Sequence, residues 1–213
     1  MEKVLIAENI RSFHPEAGPV SLTLAPGDRC YLQASEKTCN TMFEMLTGLK
    51  KPDEGTVTIL GQDIYNMESQ ERAAFRRDRI GAVPRGSGFL PEMTLLEQVQ
   101  LPMVLAGLSQ DEIRTRIRKN AFVYLPLHNL FNPAKQCSQR TLALAGVLRA
   151  RVMAPPILIL NAAFDHLNGK DAELVWQEMQ AVLAENLAFL YLSSAPAPRD
   201  ILWSETIQLP GRQ

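Results

Sequence analysis

Gln33-Ala-Ser-Glu-Lys-Thr-Cys-Asn-Thr41 decides how the rest of the chain is read. A strand-like run, Arg29-Cys-Tyr-Leu32, precedes it, and a helix-like run from Met42 to Leu49 follows. Strand, tight loop and helix together form the frame of a nucleotide phosphate loop. Such a loop wants G-x-x-x-x-G-K-[S/T]. The glycines let backbone N–H groups turn inward around phosphate, the lysine neutralises the β/γ-phosphates and the hydroxyl holds Mg²⁺. This stretch contains no glycine, and Glu36 sets a negative charge where an anion would sit. Gln33, Ala34, Ser35, Glu36, Lys37, Thr38, Cys39, Asn40 and Thr41 therefore read as a vestigial phosphate loop, with the frame kept and the chemistry gone.

Working outward, Val4 to Ile10, Pro19 to Leu24, Arg29 to Leu32 and Thr56 to Leu60 read as strands, punctuated by Pro26-Gly27 and by Lys51-Pro-Asp-Glu-Gly55. They suggest a small antiparallel β layer around the strand–loop–helix unit. Ser69 to Asp78 is charged and helical in pattern, and Ile80-Gly-Ala-Val83 is a short buried strand. Thr94 with Glu97, and Ser109 with Glu112, are capping boxes that each open a helix. Gln136 to Val152 reads as one long helix stopped by Pro155-Pro156. Ile157-Leu-Ile-Leu160 and Leu187 to Leu192 are apolar enough for the inside of a parallel sheet, Asp171 to Leu183 is a helix between them, and Thr206 to Leu209 is a last strand. The alternation predicts an α/β fold with a mainly parallel sheet.

Composition excludes several classes of protein. The chain has 213 residues, 46% hydrophobic and 21% charged, with a formal net charge of −1. That leaves no global basic field for nucleic acid. Its apolar runs are far shorter than a membrane span. Met1-Glu2-Lys3 leads into a strand-like run, so no signal peptide is expected. The three cysteines, Cys30, Cys39 and Cys137, lack metal-ligand spacing, and the lone histidines His14 and His128 suggest no metal site. The expected setting is cytoplasmic, with reduced thiols.

Several segments carry a more specific likeness. They are Leu46-Thr-Gly-Leu49 with Lys51-Pro-Asp-Glu-Gly-Thr-Val-Thr58, Gly61-Gln-Asp-Ile64, and Arg76-Arg-Asp-Arg-Ile-Gly-Ala-Val83. Phe89-Leu-Pro-Glu-Met-Thr-Leu-Leu-Glu-Gln-Val-Gln-Leu-Pro102 and Leu105-Ala-Gly-Leu108 complete the set. Together they resemble the ATP-binding subunit of an ABC transporter, in the subgroup of lipoprotein-release, macrolide-export and FtsE type. The resemblance implies a P-loop NTPase (RecA-like) core with an antiparallel β subdomain and an inserted α-helical subdomain. It makes 1–213 a single cassette, with 1–85 and 151–213 as core plus β subdomain and 86–150 as the helical insert.

The departures from the family pattern are as informative. Counting back from Thr47-Gly48, the phosphate-gripping lysine falls on Cys39 and the Mg²⁺ serine on Asn40. Counting forward from Pro26-Gly27, the lysine falls on Asn40. Lys37-Thr38 is a displaced decoy. The γ-phosphate-sensing glutamine is Arg85. The signature LSGGQ aligns with Cys137-Ser-Gln-Arg-Thr141, which keeps Ser138 and neither glycine. The Mg²⁺-ordering aspartate and the catalytic glutamate are Asn161 and Ala162, the dimer-contact aspartate is Asn168, and the switch histidine is Ser194. Phe13 falls near the place of the aromatic that stacks on adenine. Asp165 lies beyond Asn161 and is expected on the loop surface.

By this likeness no residue is catalytic, no metal is expected, and ATP with Mg²⁺ is expected to bind weakly or not at all. Phe89, Leu90 and Met93 fall where the family receives a coupling helix from its membrane subunit, so they are the expected partner-docking residues. The function implied is a degenerate, catalytically inactive cassette, structural or regulatory, docked on an integral-membrane permease or paired with a second cassette at the inner face of the membrane. Two other readings stand beside it: an ATPase with an unorthodox site around Lys37, Thr38 and Arg140, and a free-standing cytosolic scaffold.

Overall fold

The computed structural model describes residues 3–209 of the chain; Met1 and Glu2, part of the N-terminal reading above, lie outside them. The first unit is a four-stranded antiparallel sheet built from β1 (Leu5–Phe13), β2 (Glu16–Leu24), β4 (Glu54–Ile59) and β5 (Gln62–Asp63), in the order β2-β1-β4-β5. Strand β2 begins earlier than expected and contains Pro19, which an edge strand tolerates because one row of its N–H groups needs no partner. Gly55 marks the bulge where β1 and β4 lose step. Its φ is +84°, and a Cβ there would lie 2.3 Å from the carbonyl oxygen of Glu8, so only glycine fits.

The second unit is a five-stranded parallel sheet of β3 (Arg29–Gln33), β6 (Ile80–Val83), β7 (Ile157–Asn161), β8 (Ala188–Ser193) and β9 (Glu205–Gln208), ordered β6-β7-β8-β3-β9. Every residue of β7 and β8 is buried, as strands covered on both faces require. Their side chains alternate between two cores. Leu32, Ile157, Ile159 and Leu190 face the β layer and α1 (Glu36–Leu46). Tyr31, Leu158, Leu160 and Tyr191 face the core that they share with α3 (Leu95–Leu105), α4 (Gln110–Lys119), α5 (Gln139–Arg151) and α6 (Gly169–Leu183). The remaining helix, α2 (Ser69–Arg79), has no buried residue.

A ring cluster covers the second face. Tyr31 stacks on Tyr191 at 5.7 Å between centroids, Trp176 lies 5.2 Å from Tyr191, and Trp203 lies edge-on to Tyr31 at 5.0 Å. Phe164 meets Trp176 at 5.1 Å, edge to face, the arrangement aromatic quadrupoles prefer.

Three helices start elsewhere than expected: α6 begins at Gly169, two residues before Asp171, and the other two corrections concern caps. Helix α1 begins at Glu36, so most of the supposed loop is helix and only Ala34 and Ser35 connect it to β3. Helix α5 begins at Gln139 behind the cap Ser138; Ala134–Gln136 is a separate 3-10 turn. Both capping boxes are formed, by Thr94 with Glu97 and by Ser109 with Glu112.

Candidate functional site

In an open parallel sheet, ligands bind beyond the carboxyl ends of the strands. Here β3, β7 and β8 end on Gln33, Asn161 and Ser193. The connection leaving β3 is held to its neighbour, because Ala34 N donates to Ser193 O at 3.0 Å. Ser35 is an ordinary helix N-cap. Its Oγ accepts from Thr38 N at 3.2 Å and shares a 2.9 Å hydroxyl contact with Thr38 Oγ1, while Cys39 N donates to Ser35 O at 2.9 Å. Thr38 N and Cys39 N are thus both taken by the cap residue and are not turned outward into a nest. Glu36 in that turn suits the positive end of the helix dipole.

Cys39 is fully buried, and its thiol donates to Ala34 O at 3.5 Å. Burial pushes that thiol up to about 11, against a smaller opposing effect of the Ala34 hydrogen bond. It is a core side chain, with the low nucleophilicity of a protonated thiol. Lys37 is exposed.

Two long-range contacts complete the site. Asn161 Nδ2 donates to Asn40 Oδ1 at 2.7 Å, joining the end of β7 to the first turns of α1. Asn161 is 2% exposed, and its Oδ1 finds no hydrogen-bond partner among the described residues. Beside this pair, Arg85 Nε lies 3.4 Å from Glu36 Oε1, linking the segment after β6 to the same helix turn. Glu36 and Asn40 stand one turn apart on α1, so Arg85 and Asn161 reach the same stretch of helix. Ala162 is buried with φ +47° and offers only a methyl group; its N–H donates to Leu192 O at 2.8 Å.

Other expected residues fall outside this centre. Ser138 Oγ is engaged in capping α5, accepting from Thr141 N at 3.2 Å. Arg140 is ion-paired with Asp171 at 2.5 Å, which removes it from the unorthodox site considered with Lys37 and Thr38. Asn168 precedes α6 without making a side-chain cap, and Ser194 is exposed just past β8. Asp165 is exposed but not idle: its carboxylate accepts from Tyr191 Oη at 3.0 Å and from Ser193 Oγ at 2.5 Å. The Tyr191 hydroxyl, pushed well up by burial, is a donor there and not a phenolate.

Two concavities flank the centre. One, of about 470 Å³, is lined by Arg11, Ser35, Lys37 and Thr38 between the β layer and α1. Phe13, near it, carries the Arg11 guanidinium over its ring at 5.2 Å. The other is an apolar groove of about 800 Å³ between α2, α3 and the segment after β6, lined in part by Leu49, Leu90, Met93, Leu101 and Leu105. Leu90 and Met93 line this groove. Phe89 is not one of its lining residues; its ring packs on the core and lies 4.3 Å beneath the Arg149 guanidinium. Arg149 and Gln98 were missed in the sequence. Gln98 is buried and clamps Leu90 through both its amide atoms, at 2.6 and 3.0 Å. Its one signal was a polar side chain on the inner face of an apolar helix.

A parallel sheet that carries a strand–turn–helix on an internal strand, with an antiparallel layer at its side, is the architecture of a P-loop NTPase cassette. The family model for ABC transporters matches residues 19–164, and the chain belongs to that family as one of its ATP-binding cassettes. It is similar to the lipoprotein-releasing system ATP-binding protein LolD 2 of Rhodopseudomonas palustris, 30% identical over 190 residues, covering 81% of this chain and 79% of that one. LolD 1 of Rhodopirellula baltica is 25% identical over 192 residues, covering 85% and 83%. The fold matches the dimeric structure of MJ0796, a bacterial ABC transporter cassette, with a TM-score of 0.79 and 22% identity over 90% of this chain and 88% of that one.

Proposed function

We propose that this cassette does not turn over ATP and works as a docking or regulatory subunit. On this reading it sits on the cytoplasmic side against an integral-membrane permease, alone or paired with a second cassette. The observation that carries the proposal is the Asn40–Asn161 hydrogen bond. Phosphoryl transfer needs a bound Mg²⁺, neutralised phosphates and an oriented water. Mg²⁺ asks for charged or water oxygens in near-octahedral array. Two neutral amides bonded to each other do not fit it.

The neighbouring groups support the same reading. Glu36 holds Arg85 with a carboxylate of the chain's own where a phosphate would need cations. Cys39 is buried, and the methyl of Ala162 cannot act as a base. Such groups act as a unit, so their joint replacement removes turnover by many powers of ten. Support for the docking half comes from the apolar groove, whose walls include Leu90, Leu101 and Leu105 at 60%, 48% and 64% exposure. Relatives named for lipoprotein release suggest a transporter as the setting.

The test is calorimetry with Mg-ATP on the purified chain, together with a phosphate-release assay. The expected result is no saturable heat and release at the background of the buffer. Turnover that disappears on mutation of Lys37 or Thr38 would overturn the proposal.

A further inference from the structure

A third concavity, of about 390 Å³, opens at the amino ends of β7 and β8, where Pro155 and Leu187 lead into those strands. The vestigial phosphate loop lies at the other end of the sheet, beyond the carboxyl ends. Helices α4, α5 and α6 finish around this pocket, and each brings charge to it: Arg116 and Lys119 from α4, Arg151 from α5, and Glu185 just past α6. Three cations and one carboxylate leave two positive charges over.

The carboxylate is already engaged. Glu185 Oε1 lies 2.5 Å from Arg151 Nη2. The Arg151 side chain is 10% exposed and that of Glu185 58%, so the guanidinium is a fixed floor and the carboxylate reaches in from solvent. Arg116 has a neutral partner, with Nη1 donating to Val152 O at 3.1 Å. Neither Arg116 nor Lys119 has a carboxylate within ion-pairing distance among the described residues. Glu112, one turn before Arg116, accepts from Ser109 N and Oγ at 2.9 and 2.7 Å and does not line the pocket.

The rival account is helix capping, because the carboxyl ends of helices are negative and attract cations. It covers Arg116, which bonds the last carbonyls of α5. It does not cover Glu185. A carboxylate at the ends of α5 and α6 opposes both dipoles, yet Arg151 holds it. The chain's own carboxylate thus marks a place where an anion is favoured. Guanidinium groups match phosphate oxygens two at a time, and an ammonium adds a point charge.

We propose that this pocket binds a small phosphate monoester. Its dianionic head takes the place of the Glu185 carboxylate on Arg151 and is shared with Arg116 and Lys119, while a short apolar body lies against Val152 and Leu158. This site is separate from the vestigial ATP site and does not depend on how that site is read.

The probe is phenyl phosphate, with benzoate as the monoanion and benzyl alcohol as the neutral control. Each is titrated into the full isotope-labelled chain at low salt near pH 8, where the phosphate carries two charges. Amide resonances of residues 118–120, 152–154 and 185–187 report the pocket, and those of residues 35–38 the vestigial loop. Phenyl phosphate should shift the first set saturably, about tenfold more tightly than benzoate, and benzyl alcohol should leave it unmoved. Lys119→Gln should weaken binding severalfold. Glu185→Gln should strengthen it severalfold, because the competing carboxylate is gone; capping alone predicts no such gain. Lys119 is exposed, so its variant decides the matter should Glu185→Gln fail to fold.

The same head group occurs on lipids. Sedimentation with phosphatidylcholine vesicles, with and without phosphatidic acid, separates the two sources. A chain that stays in solution with both takes a free ester; pelleting only with phosphatidic acid, relieved by phenyl phosphate, assigns a lipid. No saturable shift, shifts confined to residues 35–38, equal affinity for benzoate, or an affinity unchanged by Lys119→Gln or by a folded Glu185→Gln would each overturn the proposal. Because the two sets of resonances are read apart, its failure leaves the ATP site to its own assay.

Discussion

Replacing Asn40 by alanine removes the acceptor that holds Asn161 Nδ2 at 2.7 Å. Asn161 is 2% exposed and its Oδ1 already lacks a partner among the described residues, so the variant leaves both ends of a buried amide unsatisfied. An unsatisfied buried donor costs about 1–3 kcal/mol. For a chain of this size each kcal/mol is about 2–4 °C in Tm, so Asn40→Ala should lower Tm by roughly 2–12 °C. Asn161→Leu removes the buried polar atoms themselves and leaves Asn40, which is only partly buried, free to turn to water. The double variant should therefore be more stable than the sum of the single effects implies, by about 1–2 kcal/mol, within the range found for contacting pairs. Urea unfolding at equilibrium measures all four corners of the cycle, with m-values required to match. Additivity within about 0.3 kcal/mol would refute the reasoning, because the two amides would then not be exchanging a hydrogen bond in solution.

Restoring the family's side chains by Cys39→Lys, Asn40→Ser, Asn161→Asp and Ala162→Glu together should not restore phosphate release. The loop still lacks glycine and the new ammonium would enter a fully buried position; circular dichroism should show lost stability, and turnover clearly above the parent would contradict this. Folding should weaken in alkali. Burial pushes Cys30 from 9.0 to about 12, Cys39 from 9.0 to about 11 and Tyr31 from 10.0 to about 12. The folded chain therefore holds these protons more tightly than the unfolded one, so this contribution is complete below about pH 9 and is lost as pH rises toward 12. Urea midpoints at pH 8 and 10 test the direction, and Cys39→Ala should flatten the loss. Thr94→Ala removes the cap of α3 and its bond to Glu97 N at 3.2 Å, and should cost about 1 kcal/mol by the same measurement.

Much of this was legible in the residues because local pattern and burial agree. Ile80–Val83 and Ile157–Leu160 are short apolar runs, and both are strands of the parallel sheet, the first at its edge and the second within it. The two capping boxes opened helices where Thr94 and Ser109 stand. The start of α1 was not legible: Glu-Lys-Thr-Cys-Asn-Thr carries little apolar periodicity, and a loop template hid the fact that Ser35 serves as a cap. The alignment pointed to Asn40 and Asn161 one at a time, but their bond spans 121 positions and only the folded sheet reveals it. For the same reason nothing in the sequence singled out Arg149. Its carbonyl partners, Gly88 and Ser87, lie 61 and 62 positions away.

The ring cluster behind the parallel sheet has a practical consequence. Trp176 and Trp203, the chain's two tryptophans, both belong to it, 6.3 Å apart. The protein's ultraviolet emission is thus a gauge of how α6 and the C-terminal segment seat on Tyr31 and Tyr191. It is blind by construction to the leucine-walled trough on the far side of α3, where an added dye must do the seeing.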